Sequence, residues 1–357
     1  MTKARNEQIS LDDTPFYHCY VRCIRRAYLC GEDHSTGENY DHRKQWLVSR
    51  LRFLSYIYSI DICAYAVLSN HYHVVLHVDQ LRAESWSDLE VVERWMQLYK
   101  GNELVDRWVA NSNAIDKASL LKVQVCIKEW RERLCSISWF MRGVNETIAR
   151  MANEEEGCSG RFWEGRFKSQ ALLDEAAVLS CMTYVDLNPV RAGIEKDLFE
   201  SDFTSIQQRL YDYSSEKKSG AKPEIGLSER VAQQQEFKRE QSLNELPEAP
   251  LMPFDGSSHA DIHTALPFTC EDYFQLVNIT GRIIREDKRG AILDDIPSVV
   301  SCLGIEPDHW VEHIKNFGKS YSACVGSVEA IADYAGRSGK RWCKGVSHSM
   351  CCYRQAG

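Results

Sequence analysis

Three histidines, His71, His73 and His77, alternate with other residues in the segment 69–78. Alternate residues of a strand point to the same face, so a strand here places His71 and His73 side by side, with Cα atoms roughly 6.6 Å apart. Two imidazoles at that spacing can reach one metal ion. His77 shares the face but lies about 13 Å from His73, too far to join the pair. Two interpretations stay open: a two-histidine metal site, or a half-buried strand with incidental polar histidines.

A second pattern lies in residues 174–188, which predict a helix. Asp174 is a favourable N-cap, and Pro189 provides a stop. Tyr184 and Asn188 are i and i+4, so both project from the same helical face. An amide oxygen could complete a metal site begun by two histidines, and the tyrosine hydroxyl would then be a nucleophile beside the metal. The alternative is a capped helix whose tyrosine packs in the core.

Three segments of the chain together resemble one known family. They are the hairpin SNHYHVVLHV, the later stretch GRFWEGRFKSQ and the helix YVDLNPVRAG. The set is similar to the single-tyrosine HUH transposases, in the branch related to the REP-associated tyrosine transposases. The resemblance covers residues 14–210, and the three motifs occur in the order that this family has.

The resemblance implies roles for particular residues. In that family, paired histidines bind a divalent metal, a helix tyrosine attacks DNA, and the residue four positions later supplies a further ligand. Carried over, His71 and His73 are metal ligands, Tyr184 is the nucleophile and Asn188 is the third ligand. The implied reaction is transesterification of single-stranded DNA through a 5′-phosphotyrosine, with Mg²⁺ or Mn²⁺ as a hard Lewis acid.

Two other classes of function are compatible with the same residues. One is a domesticated protein that binds hairpin DNA without cutting it. The other is an unrelated histidine metallohydrolase, for which Tyr184 would be dispensable. Loss of the Tyr184 hydroxyl separates these classes, because the transposase alone would lose a covalent DNA adduct.

The predicted DNA contacts lie in two local patches. A formal net charge of −8 argues against a uniformly basic coat for nucleic acid. Basic groups in a patch would hold phosphates while aromatic faces stack unpaired bases, so the expected partner is single-stranded or hairpin DNA. Either patch could instead be a solvated strand edge. The patches comprise Arg22, Arg25 and Arg26, and, later in the chain, Arg161, Phe162, Trp163, Arg166 and Lys168.

Cysteine usage and the N-terminal sequence predict a cytoplasmic protein. The fourteen cysteines form no C-x-x-C pair and are scattered along the chain, which is typical of a reducing compartment. The first residues lack an apolar signal region, and no apolar run is long enough to span a bilayer. We therefore expect no membrane partner. The expected oligomeric state is a monomer or a homodimer.

The order of predicted elements indicates an α+β fold. It runs strand (16–24), helix (41–59), hairpin (61–68 and 71–78), insert (82–118), helix (120–151), strand (166–172) and tyrosine helix. The family that the chain resembles has a ferredoxin-like antiparallel sheet with helices on one face. We expect a catalytic domain over 14–210, a linker over 212–265 and a small helical C-terminal domain over 266–345.

Overall fold

The computed structural model describes most of the chain. The described ranges are 8–24, 29–32, 37–191, 201–217, 246–255, 264–286 and 296–354. Two of the predicted DNA-binding residues, Arg25 and Arg26, lie outside them, as does most of the predicted linker.

A mixed five-stranded sheet forms the centre of the fold. Its strands are β1 (Phe16–Arg22), β2 (Ile60–Val67), β3 (His71–Val78), β4 (Lys168–Leu172) and β5 (Cys324–Val325). They lie in the order β2-β3-β1-β4-β5. The first four pair antiparallel, and β5 joins β4 in parallel. The order of the first four, with one connection from β1 to β2 and another from β3 to β4, is ferredoxin-like.

Helices surround this sheet and connect its strands. The described helices are α1 (His42–Ile57), α2 (Gln80–Ser85), α3 (Asp88–Met96), α4 (Glu103–Ala110), α5 (Lys117–Leu134), α6 (Ile137–Glu155), α7 (Glu175–Asp186), α8 (Asn188–Arg191), α9 (Ser205–Lys217), α10 (Cys270–Glu286), α11 (Ser298–Cys302), α12 (Pro307–Ser320), α13 (Val328–Arg337) and α14 (Val346–Cys352). A single 3₁₀ turn, Ser112–Ala114, separates α4 from α5.

One face of the sheet packs against α1 and α6. The apolar side of β3 points this way, and the hydroxyl of Tyr72 donates to Asn145 Oδ1 on α6 at 2.8 Å. Helix α1 packs on α6, where Gly143 lets the helices approach: a Cβ there would lie 3.2 Å from Leu54. These two helices form the helical layer expected of a ferredoxin-like unit.

The opposite face of the sheet packs against α7, the helix that carries Tyr184. Nearly every residue of α7 is buried, because the helix lies between the sheet on one side and α12 on the other. A helix that is apolar all round must be covered on both sides. The α+β prediction is confirmed. The expectation that the helices lie on one face of the sheet holds for α1 and α6, but it is wrong for α7, which lies on the other face.

The segment predicted as one long helix over 120–151 forms two helices instead. Helix α5 ends at Leu134, whose carbonyl accepts from the backbone N–H of Ser59 at 3.0 Å. That contact gives a partner to a carbonyl at the end of α5, and α6 begins at Ile137, after two intervening residues. The preceding helices α2 to α4 occupy the stretch predicted as an insert, and Trp95 stacks on Trp130 of α5 at 5.6 Å.

The C-terminal part of the chain contributes to the same core. Strand β5 extends the sheet beyond β4, and Asp174, at the start of α7, accepts from the backbone N–H of Ser327 at 2.6 Å. Helices α10, α12 and α13 begin within the stretch 266–345 that was predicted to be helical, but β5 was not predicted. A strand of two residues is too short to show a period in the sequence.

Candidate active site

A block of polar side chains covers one face of the sheet where β3, β1 and β4 run side by side. The register places Tyr20 opposite His73 and Arg22 opposite His71. On the other edge of β1, residues of β4 lie opposite His18 and Tyr20. Directly opposite residues share a face of the sheet. The block comprises His18, Tyr20, Arg22, His71, His73, Lys168 and Gln170.

Alternation along β1 and β3 produces this face. In β1, Cys19 and Val21 separate the polar residues and are buried on the opposite side, toward the layer of α1 and α6. In β3, Tyr72 and Val74 do the same. Each strand therefore presents polar side chains at a spacing of two residues toward α7.

Helix α7 places Tyr184 over this polar face. The Tyr184 ring meets His73 edge to face, with centroids 5.8 Å apart, and His18 in the same way at 6.2 Å. The rings of His71 and His73 are 5.0 Å apart. Three residues singled out in the sequence, His71, His73 and Tyr184, therefore line one cleft of about 600 Å³.

The Nδ1 atom of each predicted metal-binding histidine is engaged in a hydrogen bond. His71 Nδ1 is 2.5 Å from Asn70 Oδ1, and His73 Nδ1 is 2.8 Å from His18 Nε2. His18 Nδ1 is in turn 2.7 Å from Gln170 Oε1. His73, His18 and Gln170 thus form a chain of hydrogen bonds across the floor of the sheet, from β3 through β1 to β4.

This chain defines which nitrogen of each ring carries a lone pair. A carbonyl oxygen can only accept, so His18 Nδ1–H donates to Gln170 and His18 Nε2 accepts from His73 Nδ1–H. His73 Nε2 is then unprotonated. The same reasoning applied to Asn70 leaves the Nε2 atom of His71 unprotonated.

Burial keeps these imidazoles neutral. It lowers the pKa of His71 to about 4, helped by the charge of Arg22, and lowers the pKa of His18 to about 4. The pKa of His73 falls well below its usual value, first through burial and then through the neighbouring His18, His71 and Arg191. Neutral imidazoles are the form that binds a metal.

The residues present fit a divalent ion at His71 and His73. Among the residues that the structure describes, neither Nε2 atom has a hydrogen-bond partner. Each Nδ1–H donates to a second group, as metal-ligating histidines do in proteins. The pair therefore has the tautomer, the charge and the free lone pairs that coordination needs.

Asn188, the predicted third ligand, is buried and does not line the cleft. It is 8% exposed, and its Nδ2 atom has no partner within the described ranges. Helix α7 ends at Asp186 and Asn188 begins the separate turn α8. The third-ligand role of Asn188 stays a prediction.

Three of the predicted DNA-binding residues, Arg22, Arg166 and Lys168, line the cleft and are exposed. Lys168 Nζ lies 5.5 Å from the centre of the Tyr20 ring. Arg161 is exposed but does not line the cleft. The three basic residues of the cleft therefore lie at or beside the end of β1 and the start of β4.

Phe162 and Trp163 do not fit the base-stacking role predicted for them. They are 1% and 8% exposed. Trp163 Nε1 donates to the carbonyl of Asn145 at 2.8 Å, and its ring packs edge-on against Tyr72 at 5.8 Å. These rings fill the core on the α6 side of the sheet, so the prediction is corrected. Tyr20, which lines the cleft beside the basic residues, is partly exposed.

Helix α12 and Arg191 enclose Tyr184 from the side away from the sheet. The Tyr184 ring stacks on Phe317 at 4.9 Å, and the Arg191 guanidinium carbon is 4.7 Å from the ring centre. Arg191 also donates to the carbonyl of Lys315 on α12 at 2.8 Å. Gly318 lines the cleft beside the tyrosine hydroxyl.

Sequence reasoning missed several residues of the cleft. His18 and Tyr20 carry a signal, because β1 alternates polar and apolar residues as β3 does. Gln170 and Gly318 carry no such signal, since their positions depend on strand pairing and on helix packing.

Comparison with known proteins gives one distant likeness. No protein family and no curated protein matches the chain. A solved structure of a REP-associated tyrosine transposase bound to a REP hairpin is similar at 14% identity and a TM-score of 0.34, over 59% of this chain and 86% of that chain. This similarity is too low to assign the chain to a family.

None of the helices in the described part of the chain is long and apolar enough to cross a membrane.

Proposed function

We propose that the chain cleaves and rejoins single-stranded DNA, with Tyr184 as nucleophile and a divalent metal on His71 and His73. The observation that carries this proposal is the convergence of a helix tyrosine and two neutral histidines on one cleft. The tyrosine and the histidine pair are far apart in the sequence, so the fold alone brings them together.

The covalent step transfers a phosphoryl group to the tyrosine. The Tyr184 hydroxyl oxygen forms a bond to phosphorus, and the bond from phosphorus to the 3′ oxygen of the preceding nucleotide breaks. The tyrosine loses its proton, and the departing oxygen gains one to become a free 3′-hydroxyl. The phosphotyrosine ester replaces a phosphodiester, so attack by another 3′-hydroxyl can rejoin the strand.

The surrounding residues of the chain would prepare the site for this step. A divalent ion on His71 and His73, Mn²⁺ or Mg²⁺, would polarise the scissile phosphate and offset its developing charge. His18 and Gln170 hold the ring of His73 in one tautomer. Because imidazole suits transition metals better than Mg²⁺, we expect Mn²⁺ to act at lower concentration.

The rim of the cleft is suited to an unpaired strand. Arg22, Arg166 and Lys168 would bind phosphates, and Tyr20 would offer a ring for base stacking. Since the whole chain carries a formal charge of −8, binding would be confined to this rim.

A specific observation also supports the alternative of a hairpin-DNA-binding protein that does not cut. Tyr184 is held between Phe317 and Arg191, and its hydroxyl lies against Gly318. If α12 keeps this position when DNA binds, the hydroxyl is restricted in its approach to a phosphate. The basic rim would still bind DNA.

The test of the nucleophile is a cleavage assay with single-stranded and hairpin-bearing oligonucleotides in Mn²⁺ or Mg²⁺. We expect a covalent protein–DNA band that Tyr184→Phe abolishes. Tyr20→Phe is the matched control, because Tyr20 lines the same cleft, and it should retain the band. Cutting without a covalent band, unchanged in Tyr184→Phe, would indicate a metallohydrolase. DNA binding without cutting in any form would favour the non-cleaving alternative.

The test of the metal ligands uses two histidines of the same strand face. His73→Ala should abolish cleavage, whereas His77→Ala should retain it in folded protein, because His77 contacts Asp61 at 3.1 Å and lies outside the cleft. Circular dichroism checks that both variants fold. Cleavage by His73→Ala at the parent rate would contradict the metal assignment.

A further inference from the structure

A second group of metal-ligating side chains lies where α12 packs on α14, outside the cleft. It comprises His313 of α12 with His348 and Cys352 of α14. His348 and Cys352 are i and i+4, so they share one face of their helix. One potential ligand atom from each of the three residues lies within 4.8 Å of the others.

Two of the three distances between the ligand atoms of this group match those of a tetrahedral zinc site, and the third is at most 4.8 Å. His313 Nδ1 is 3.1 Å from His348 Nε2, and Cys352 Sγ is 3.6 Å from the same nitrogen. Zinc bonds of about 2.0–2.1 Å to nitrogen and 2.3 Å to sulfur separate two nitrogens by about 3.3 Å and a nitrogen from a sulfur by about 3.6 Å. Both observed separations lie within a few tenths of an ångström of these values.

Hydrogen bonding alone does not satisfy the group. His348 Nε2 has either one proton or one lone pair, yet two groups, His313 Nδ1 and Cys352 Sγ, lie within reach of it. A metal ion shared by all three ligand atoms removes the competition for His348 Nε2.

The ligand set of two imidazoles and one thiolate favours a soft or borderline ion over Mg²⁺ or Mn²⁺. Cys352 is 3% exposed and burial raises the pKa of its thiol to about 11, so a metal would have to displace the thiol proton. Burial lowers the pKa of His313 to about 3, which keeps its imidazole neutral. His348 is half-buried, so the group borders solvent on that side.

We propose that His313, His348 and Cys352 bind one zinc ion, which ties α12 to α14. On binding, the Cys352 thiol gives up one proton to solvent and the thiolate becomes a ligand, with the fourth position open to water. The site is separate from the His71 and His73 pair and does not depend on the proposed DNA chemistry. Because α12 also packs on Tyr184, the ion would fix the helix that borders the tyrosine.

The experiment titrates Co²⁺ into metal-free full-length protein and follows the thiolate-to-cobalt charge-transfer absorption. We expect the band to saturate at one equivalent and to be removed by Zn²⁺. Cys352→Ser should lose it, whereas Cys351→Ser, at the exposed neighbouring cysteine, should retain it. Absence of the band in the parent chain, or its persistence in Cys352→Ser, would overturn the proposal.

Two further variants guard against misfolding and against metal at the other site. His348→Gln changes a half-buried residue, so it should fold; in the His71→Ala, His73→Ala background it should lose the rise in melting temperature that Zn²⁺ gives that background. The doubly substituted His71→Ala, His73→Ala chain should keep the charge-transfer band, since no thiolate lines that cleft. An equal Zn²⁺ effect in this background with and without His348→Gln, or loss of the band in the double variant, would contradict the assignment.

Discussion

The hydroxyl oxygen of Tyr184 lies against the backbone of Gly318, so closely that a Cβ on Gly318 would be 2.6 Å from it. Real side chains do not approach an oxygen to that distance, so either the ring or the helix would have to move. Gly318 belongs to α12, whose Phe317 also stacks on the tyrosine. The C-terminal part of the chain therefore sets the position of the proposed nucleophile.

We predict that Gly318→Ala lowers the rate of covalent adduct formation by about 10- to 100-fold, since small displacements of a reacting group have effects of this size. The matched control is Gly336→Ala in α13, where a Cβ would meet nothing within 4 Å. Single-turnover gel assays measure both rates. Equal rates for the two variants would show that the contact with Gly318 does not position the tyrosine.

Gln170 does not belong to the proposed metal-binding pair of His71 and His73, but hydrogen bonds link it through His18 to His73. We therefore predict that a change at Gln170 alters the affinity for the metal. Gln170→Leu removes the acceptor for His18 Nδ1–H, so the tautomer of His73 is no longer fixed. Loss of such a partner typically weakens metal binding by roughly 10- to 100-fold. The Mn²⁺ concentration for half-maximal cleavage should rise accordingly. Gln170→Glu, which keeps an acceptor, should shift it less; equal shifts would contradict a role for the acceptor.

The basic rim predicts how salt affects DNA binding. Arg22 lines the cleft and Arg161 does not, although both are exposed. Arg22→Ala should weaken binding of a single-stranded oligonucleotide and reduce the slope of log affinity against log salt by about one, whereas Arg161→Ala should change the slope less. Fluorescence anisotropy at several salt concentrations measures this. A larger loss in Arg161→Ala would move the DNA path away from the cleft.

The end of the tyrosine helix is anchored by a buried carboxyl whose ionisation makes stability depend on pH. Asp186 accepts from Ser205 Oγ and from the Tyr273 hydroxyl, both at 2.5 Å, and burial raises its pKa to about 6. The folded state therefore binds the proton more tightly than the unfolded state, where an aspartate titrates near pH 3.9.

The stabilisation of the folded state by protonated Asp186 is present in full below about pH 4. It is lost as the pH rises through about 6. We expect the free energy of unfolding of the parent chain to fall across that range by on the order of 2 kcal/mol relative to Asp186→Asn. Urea unfolding at pH 4, 5, 6 and 7 gives this difference. A difference that stays constant with pH would contradict the raised pKa of Asp186.

Strand and helix patterns in the sequence account for much of the fold. The alternation of β3 and the capped helix from Asp174 are both present, because each depends on neighbouring residues. The approach of Tyr184 to the two histidines could be expected from the motifs that resemble the transposase family. That α7 lies on the face opposite α1 and α6 could not be expected, since the pattern of a strand does not show which of its faces the other helices cover.

Other parts of the site depend on contacts that no local pattern reveals. The sequence around Phe162 and Trp163 is compatible with an exposed loop and with a buried one. The contacts of Trp163 with Tyr72 and Asn145 are what make the pair buried. Gly318 lies far along the chain from Tyr184, and its closeness follows from the packing of α12 on α7. Tertiary packing, and not local propensity, sets these positions.

The most direct test of the account is to locate the nucleotide on the protein. The full-length chain is incubated with a hairpin-bearing single-stranded oligonucleotide and Mn²⁺, the covalent product is digested with protease and nuclease, and the modified peptide is sequenced by mass spectrometry. We predict a nucleotide 5′-phosphate on the hydroxyl of Tyr184. Attachment to Tyr20, the other tyrosine that lines the cleft, or no modified peptide from protein that binds the DNA, would contradict the claim that Tyr184 is the nucleophile.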